Sequence, residues 1–350
     1  MALRPVLALD LGGTQLRTAL INPSGEVIAR NARPTPTASP ADLVSAAVAA
    51  LTETSRAAAS LGAGPAAAIG ISAPGPLDPH TGRLIDPPNL PPPIWDLPLA
   101  DLIADALGLP TTMDKDTNVA ALGEGFFGAA QGASDFVYMT ISTGVGGAAV
   151  TGGRLLHGPD GAAGEFGHIT VDAFTGPMCG CGARGHLEAI ASGTGIAHAA
   201  KAAGLAVGYA SARDVANLEA AGNPAAAFIM ARAREAVAAA VVTIIDLFNP
   251  DLVIIGGGIA AAEGERMLGP ARDAVAATAF RVQARRARIV EPALGDDVSL
   301  VGALILANAA LSQDVAAYGL RPRASGPGRM ALQNEPGNEE DEIKRAVALG

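Results

Sequence analysis

Both cysteines of this 350-residue chain, Cys179 and Cys181, stand one residue apart in a glycine-rich stretch, GAAGEFGHITVDAFTGPMCGCGARGHLE, that spans residues 161–188. The same stretch holds two of the five histidines, His168 and His186, and two glutamates, Glu165 and Glu188. Thiolates and imidazoles are the donors that tetrahedral zinc takes, at about 2.3 Å for sulfur and about 2.0 Å for nitrogen. Glycines around a Cys-x-Cys turn let both sulfurs face one point without crowding. The pattern predicts a Zn2+ site of His168, Cys179, Cys181 and His186. Four protein ligands fill the shell, so the expected zinc is structural rather than catalytic. Two plainer readings compete. The thiols can be small buried apolar groups beside ordinary histidines, or they can be joined in a disulfide, for which a Cys-x-Cys pair is geometrically awkward. A filled zinc shell leaves Glu165 and Glu188 for another task.

Hydrophobic residues make up 49% of the chain, enough at this length for two domains, each with its own core. Aromatics are only 3%, so those cores must be packed with small side chains. The net charge of −10, from 24 Lys and Arg against 34 Asp and Glu, argues against a nucleic-acid surface. It leaves room for a nucleotide in a local pocket. Metal-bound cysteines fit a reducing cytoplasm. The opening residues, MALRPVLALDLGG, are too short and too interrupted by glycine for a signal peptide. The Ala/Val-rich run 225–248 carries Arg232, Arg234, Glu235 and Asp246, which marks a buried or interface helix rather than a membrane span. The expectation is a cytoplasmic protein with neither a nucleic-acid nor a membrane partner.

Apolar runs at 6–9 and 16–21, separated by glycine turns, with a third run beginning at Val27, predict a meander of antiparallel strands. Residues 34–40 read as a linker, and Ser39-Pro40 starts a helix to about residue 61. A buried strand follows at 67–72. The proline-rich segment 84–98 cannot be a regular element. A short helix at 99–107 and a strand end at 111–113 lead to a polar cap, Asp114 to Asn118, on a helix running to about residue 130. Residues 135–151 read as a hairpin around Thr143 and Gly144. Asn223-Pro224 caps the longest helix. Strands are expected at 252–255 and 289–290, and a last helix at 299–311. Residues 320–350, rich in breakers and without periodicity, read as a disordered tail. A strand followed by a glycine turn occurs at 6–13 and again, loosely, at 136–147.

Three glycine turns follow apolar strands: Asp10-Leu11-Gly12-Gly13-Thr14, Ser142-Thr143-Gly144-Val145-Gly146-Gly147, and Gly256-Gly257-Gly258. Glycine lets backbone N–H groups approach an anion, and the threonine hydroxyls add donors. Asp10, at a strand end, suits Mg2+ held through water. Each turn alone is a common feature in a chain with 43 glycines; the three together point to phosphate binding. No GxxxxGK[ST] run and no GxSxG elbow is present.

Taken together these motifs resemble the ROK family of sugar kinases. DLGGT at 10–14 and STGVGG at 142–147 are similar to its two phosphate loops, and IIGGG at 254–258 to its adenosine loop. EFGH at 165–168 with CGCGARGHLE at 179–188 resembles its sugar-and-zinc signature. The match runs in family order from about residue 5 to residue 311. It implies an α/β protein with the two-domain, actin-like ATPase (ribonuclease H-like) fold and a central cleft. The expected domains are 1–115 with 299–313, and 116–298 with the zinc loop. It implies ATP and Mg2+ as cofactors, a small-molecule hexose as substrate, glucose by default, and a homodimer. Asp116 would be the catalytic base. Lys115, Gly75, Asn89, Glu165, His168 and Glu188 would face the sugar, His168 giving its other ring nitrogen to zinc. Asp10, Gly12, Gly13, Thr14, Thr143, Gly144 and Gly257 would bind the nucleotide.

The chemistry agrees with the resemblance. A sugar hydroxyl is a weak nucleophile, and a nearby carboxylate can take its proton. Transfer otherwise needs positioning and charge neutralisation. The plain alternative for Asp116 is a helix N-cap. The chain departs from the family at two positions: His186 replaces a third cysteine, and Lys115 replaces the Asn that precedes the catalytic Asp. Fructose, mannose and N-acetyl amino sugars are rival substrates. A non-catalytic regulator is the rival class. Family repressors place a DNA-binding module ahead of the kinase-like part, and here the first strand is expected to start by Val6.

Overall fold

The computed structural model describes residues 3–88, 90, 94–205 and 211–311. The chain forms two compact units. Of the described residues, the first comprises those up to Phe127, the segment His157–Ala162 and residues 294–311; the second comprises those in Gly128–Leu156 and Ala163–Ala293.

The first unit is built on β1 (Val6–Leu11), β2 (Gln15–Ile21), β3 (Val27–Pro34), α1 (Pro40–Ser60), β4 (Ile69–Ala73), the short pair β5 (Leu77–Asp78) and β6 (Arg83–Leu84), α2 (Leu99–Leu107), β7 (Thr111–Lys115) and α3 (Asp116–Phe127). Its five-stranded sheet has the order β3-β2-β1-β4-β7. The first three strands are the antiparallel meander, and β4 and β7 run parallel to β1. Helix α1 starts as its cap predicts: the Ser39 side chain accepts the Asp42 N–H at 3.1 Å, and Pro40 occupies the first turn, where its missing N–H costs nothing. The last helix, Val298–Leu311, has almost every residue buried. It lies directly on α3 and β4 because small residues line the contact. A Cβ on Gly302 would run into the Val119 carbonyl, and one on Gly70 into the Ala303 carbonyl.

The second unit contains β8 (Phe136–Ile141), β9 (Val145–Thr151), β10 (Arg154–Leu155), α4 (Leu187–Ala191), α5 (Gly193–Ala202), α6 (Ala212–Ala220), α7 (Pro224–Phe248), β11 (Leu252–Gly256), α8 (Gly258–Glu263), α9 (Glu265–Thr278), α10 (Arg281–Ala284) and β12 (Arg288–Val290); the Val298–Leu311 helix of the first unit is α11. The sheet order is β10-β9-β8-β11-β12, with the β8–β9–β10 meander antiparallel and β11 and β12 parallel to β8. Helix α7 is capped by Asn223, whose side chain accepts the N–H groups of Ala225 and Ala226. Its alanines and valines form the centre of the core beneath the sheet. Among the described residues, no helix is long and apolar enough to cross a membrane.

The structure differs from the sequence expectations at three places. The first unit runs to Phe127 instead of ending at residue 115, because α3 packs along α11 and follows it into that unit. The helix expected from Val119 starts at Asp116, taking the polar cap into its first turn. The proline-rich segment differs least: past Leu84, the end of β6, its described residues form no regular element, as expected, and make only an isolated bridge of Leu84 with Leu97. Asn89 and the tail 320–350 lie outside the described residues.

Candidate active site and metal centre

In parallel sheets, polar residues gather at the carboxyl ends of the strands. In the first unit those ends line up in register, Asp10 beside Ser72 and Ser72 beside Asp114. The Ser72 hydroxyl donates to Asp10 Oδ1 at 2.9 Å, and the Arg17 guanidinium holds Asp10 Oδ2 through Nε at 3.0 Å and Nη2 at 2.6 Å. Both oxygens are thus engaged, which fits water-mediated rather than direct contact with a cation. The adjoining turn is tight. Gly12 N–H donates to the Gln15 carbonyl at 3.0 Å, and the Thr35 hydroxyl donates to the Gly12 carbonyl at 2.5 Å, while Gly13 is half-buried and Thr14 is exposed at the tip.

Asp116 is the first residue of α3, half-buried, and its Oδ1 accepts the Thr117 N–H at 2.7 Å. Lys115, at the end of β7, is buried, and its aliphatic stem lies against Gly75: a Cβ there would stand 3.7 Å from Lys115 Cδ. Two groups have roles that the sequence pattern does not give; Asp114 reads there only as part of a polar cap. Asp114 is fully buried; its Oδ1 accepts the Lys115 N–H at 2.7 Å and the Asn118 side-chain amide at 2.8 Å. Its Oδ2 accepts from buried His157 Nε2 at 2.6 Å. This carboxylate ties the end of β7 to the first turn of α3. Arg17 is the other; its position next to Asp10 follows from the antiparallel register of β1 and β2.

In the second unit the β8–β9 turn carries Thr143, exposed, and Gly144, half-buried. Gly257 has φ +92°, a conformation that side chains resist, and a Cβ there would strike the Ile141 carbonyl at the end of β8. The 256–258 turn therefore sits immediately beside the β8–β9 turn. The structure thus brings two of the three glycine turns together.

The segment from Gly164 to Thr194 wraps the β8–β9 hairpin. Phe166 is buried against Phe248 in an edge-to-face contact with ring centroids 5.7 Å apart, and it fills the space that a Cβ on Gly147 would need. This anchor fixes the 3₁₀ turn Phe166–His168 and leaves Glu165 and His168 exposed. Farther on, Gly193 N–H donates to the Ser142 carbonyl at 2.8 Å, and Thr194 N–H and hydroxyl donate to the Thr143 carbonyl. Glu188, in α4, accepts the Val145 N–H on Oε2 at 2.9 Å.

The four predicted metal ligands converge. One ligand atom from each of His168, Cys179, Cys181 and His186 can be chosen so that all lie within 4.8 Å of one another. His168 Nδ1 is 3.1 Å from His186 Nδ1, and Cys181 Sγ is 3.3 Å from the same nitrogen. The turn is formed by Cys179 N–H on the Ala183 carbonyl and Gly182 N–H on the Cys179 carbonyl, and bridges at Met178–Arg184 and Thr170–His186 close the loop. Both cysteines are free thiols. Burial pushes the Cys179 thiol up, and the Cys181 side chain and Glu188 add to the rise against a lowering backbone hydrogen bond from Cys181, so a metal would have to displace that proton to bind. Two thiols and two imidazoles within reach of one centre fit zinc.

The ROK family sequence model matches residues 6–310. The chain is similar to the glucokinase of Thermotoga maritima, 34% identical over 312 residues that cover 85% of this chain and 95% of that protein. It is also similar to the N-acetylmannosamine kinase of Citrobacter koseri, 37% identical over 258 residues, 74% of this chain and 84% of that one. Among solved structures, a ROK family glucokinase from Streptomyces griseus in complex with glucose and AMPPNP superposes with a TM-score of 0.70 at 29% identity, covering 87% of this chain and 99% of that chain. With the family motifs falling at the strand ends and in the metal loop where they are described above, the chain belongs to the ROK family and has its actin-like ATPase fold.

Proposed function

We propose that this protein is an ATP-dependent sugar kinase that transfers the γ-phosphoryl group to a hexose hydroxyl, most simply O6 of glucose. The observation that carries the reading is the end-to-end similarity to a glucokinase, joined to a carboxylate, Asp116, at the carboxyl end of a parallel strand. Asp116 takes the proton of the attacking hydroxyl as the phosphoryl group arrives. Glu165, His168 and Glu188 accept or donate hydrogen bonds to the remaining hydroxyls, and Gly75 with Lys115 lines the same sugar. His168 uses its outer nitrogen for the sugar, since Nδ1 faces His186.

The N–H groups of Gly13 and Gly144, with the hydroxyls of Thr14 and Thr143, receive the phosphates; Gly12, whose own N–H closes the turn on Gln15, lets the phosphate approach, and Gly257 leaves space at the nucleoside end. Mg2+ bound with ATP would neutralise phosphate charge, and Asp10 would reach it through water. Zinc held by His168, Cys179, Cys181 and His186 would fasten the loop to the 3₁₀ turn and supply structure, not chemistry.

The experiment is ATP turnover, with Mg2+, on glucose, mannose, fructose, N-acetylmannosamine and N-acetylglucosamine. Glucose is expected to give the highest kcat/KM. A specific second reading comes from the 37% identity to an N-acetylmannosamine kinase, and a preference for N-acetylmannosamine would select it. No turnover on any sugar would remove both.

A further inference from the structure

We propose that Glu188 is a two-sided residue that couples the sugar to the nucleotide: one carboxylate oxygen holds the phosphate loop, the other serves the sugar. This rests on the sugar-kinase reading and deepens it. The geometry lies within one unit. Glu188 Oε2 accepts the backbone N–H of Val145, the residue that ends the β8–β9 turn and begins β9, at 2.9 Å. The same oxygen stands 2.7 Å from where a Cβ on Gly144 would be, so the turn keeps glycine there to admit the carboxylate. Among the described residues, Oε1 accepts no hydrogen bond.

The rest of the loop braces this contact. The Glu188 Cβ lies 3.3 Å from where a Cβ on Gly167 would be, in the 3₁₀ turn that carries His168, and that same Cβ would strike the Val145 carbonyl. A short way on, the N–H groups of Gly193 and Thr194 hold the carbonyls of Ser142 and Thr143. The backbone of the phosphate turn is therefore gripped by the segment that bears the proposed sugar ligands, and among the described residues Glu188 supplies the carboxylate in that grip.

A carboxylate pinned through one oxygen has its rotamer set before sugar arrives. A sugar hydroxyl engaging Oε1 in turn fixes Oε2 on Val145 and stiffens the turn that must receive phosphate. Linkage makes this reciprocal: nucleotide must tighten sugar by the factor by which sugar tightens nucleotide. Coupling of this kind is typically about 5–150-fold.

Two reciprocal variants test it in the full chain, with AMPPNP and Mg2+ as the nucleotide probe and glucose as the sugar probe, both read by calorimetry. Glu188→Ala should weaken AMPPNP binding in the complete absence of sugar, by about 10- to 100-fold, the size of one lost hydrogen bond to a charged group. Glu188→Gln, which keeps an acceptor for Val145, should restore it. A residue that only touched sugar would leave sugar-free nucleotide binding unchanged. Conversely, Gly144→Ala, made on the phosphate turn, should displace the carboxylate and weaken glucose binding without nucleotide. If AMPPNP binds wild type and Glu188→Ala equally, and Gly144→Ala binds glucose as wild type does, the coupling role is overturned while the kinase reading stands. If wild type binds neither AMPPNP nor glucose, the kinase reading itself has failed. Circular dichroism spectra of Glu188→Gln and Glu188→Ala that match wild type assign the difference to the hydrogen bond rather than to unfolding.

Discussion

The two sheets have the same plan and different ends. Each is a three-stranded antiparallel meander extended by two strands parallel to the first, in the orders β3-β2-β1-β4-β7 and β10-β9-β8-β11-β12. In the first, the row across the strand ends is Asp10, Ser72 and Asp114. In the second, the corresponding partners are Thr140 and Gly256. One row carries carboxylates; the other carries a hydroxyl, Thr140, and a glycine, Gly256. The loops diverge in the same sense. The β1–β2 turn is tied down by Thr35, and the β8–β9 turn is gripped by the long Gly164–Thr194 segment with its four candidate metal ligands. One topology is thus used twice with two different sets of end groups, and the difference resides in a few residues at the edge of a common frame.

The sharpest way to break this division is at Asp116. Asp116→Asn keeps the size and the acceptor for Thr117 N–H but cannot take a proton. If proton handling belongs to the first unit, kcat should fall by about 10²–10⁴-fold, the usual worth of a general base, with glucose affinity little changed. Near-wild-type kcat on every accepted sugar would place the base elsewhere. The neighbouring lysine gives a finer cut: Lys115→Asn restores the family residue, and tighter glucose binding would make Lys115 a sugar-site variation, whereas a raised KM for ATP would make it a phosphate contact.

The second unit's counterpart is Cys181→Ser. Even partners behind metal ligands are worth about 10–100-fold in metal affinity, so loss of a ligand should reach at least that range. Zinc content measured by elemental analysis should drop, and glucose affinity with it, because Glu188 and His168 both stand on the loop. Wild-type protein that is fully active and contains no zinc would take the metal out of the account.

How much of this was legible in the sequence depended on how local the cause was. The caps of α1 and α7 are written in neighbouring residues, Ser39-Pro40 and Asn223-Pro224, and both helices start there. The convergence of His168, Cys179, Cys181 and His186 could be anticipated because they share one segment. By contrast the Glu188–Val145 and His157–Asp114 contacts each join residues 43 positions apart, and nothing local announces them. The same holds for the boundary of the first unit. Residues 116–127 carry the signal of an ordinary helix, and only packing against α11 assigns them to the first unit rather than the second. Asp116 sits at the border of the two cases: its helix-starting position was readable as a cap, and as the first residue of α3 it does accept the next N–H.

That packing yields a prediction confined to one unit. Gly302→Ala places a methyl group against the Val119 carbonyl, where neither helix backbone can yield cheaply. Overpacking of this kind costs about 1–3 kcal/mol. Hydrogen exchange should show lost protection in α3, β4 and α11 and unchanged protection in β8, β9 and α7. Equal loss in both sheets would mean that the two units unfold as one.

The smallest expected effect concerns the second unit's loop in acid. Asp172 accepts the Thr175 N–H at 2.9 Å and its hydroxyl on the same carboxylate, and pairs with Arg232 of α7 at 2.8 Å. These bonds, the Thr175 backbone first, hold the carboxyl down to about 2 from its ordinary 3.8. A depressed carboxylate stabilises the folded loop above its unfolded value, and that contribution is lost as pH falls through the folded one. The window is therefore pH 4 to 2, and because the group is only partly covered and screened by solvent the effect is local. Corrected for intrinsic rates, exchange of the Thr175 amide should quicken across that window in wild type. In Asp172→Asn, protection should already be lower at pH 5 and should change little from 4 to 2. A wild-type amide equally protected at both ends of the window would show that the turn is held by its bridges and hairpin bonds, with Asp172 a passive passenger.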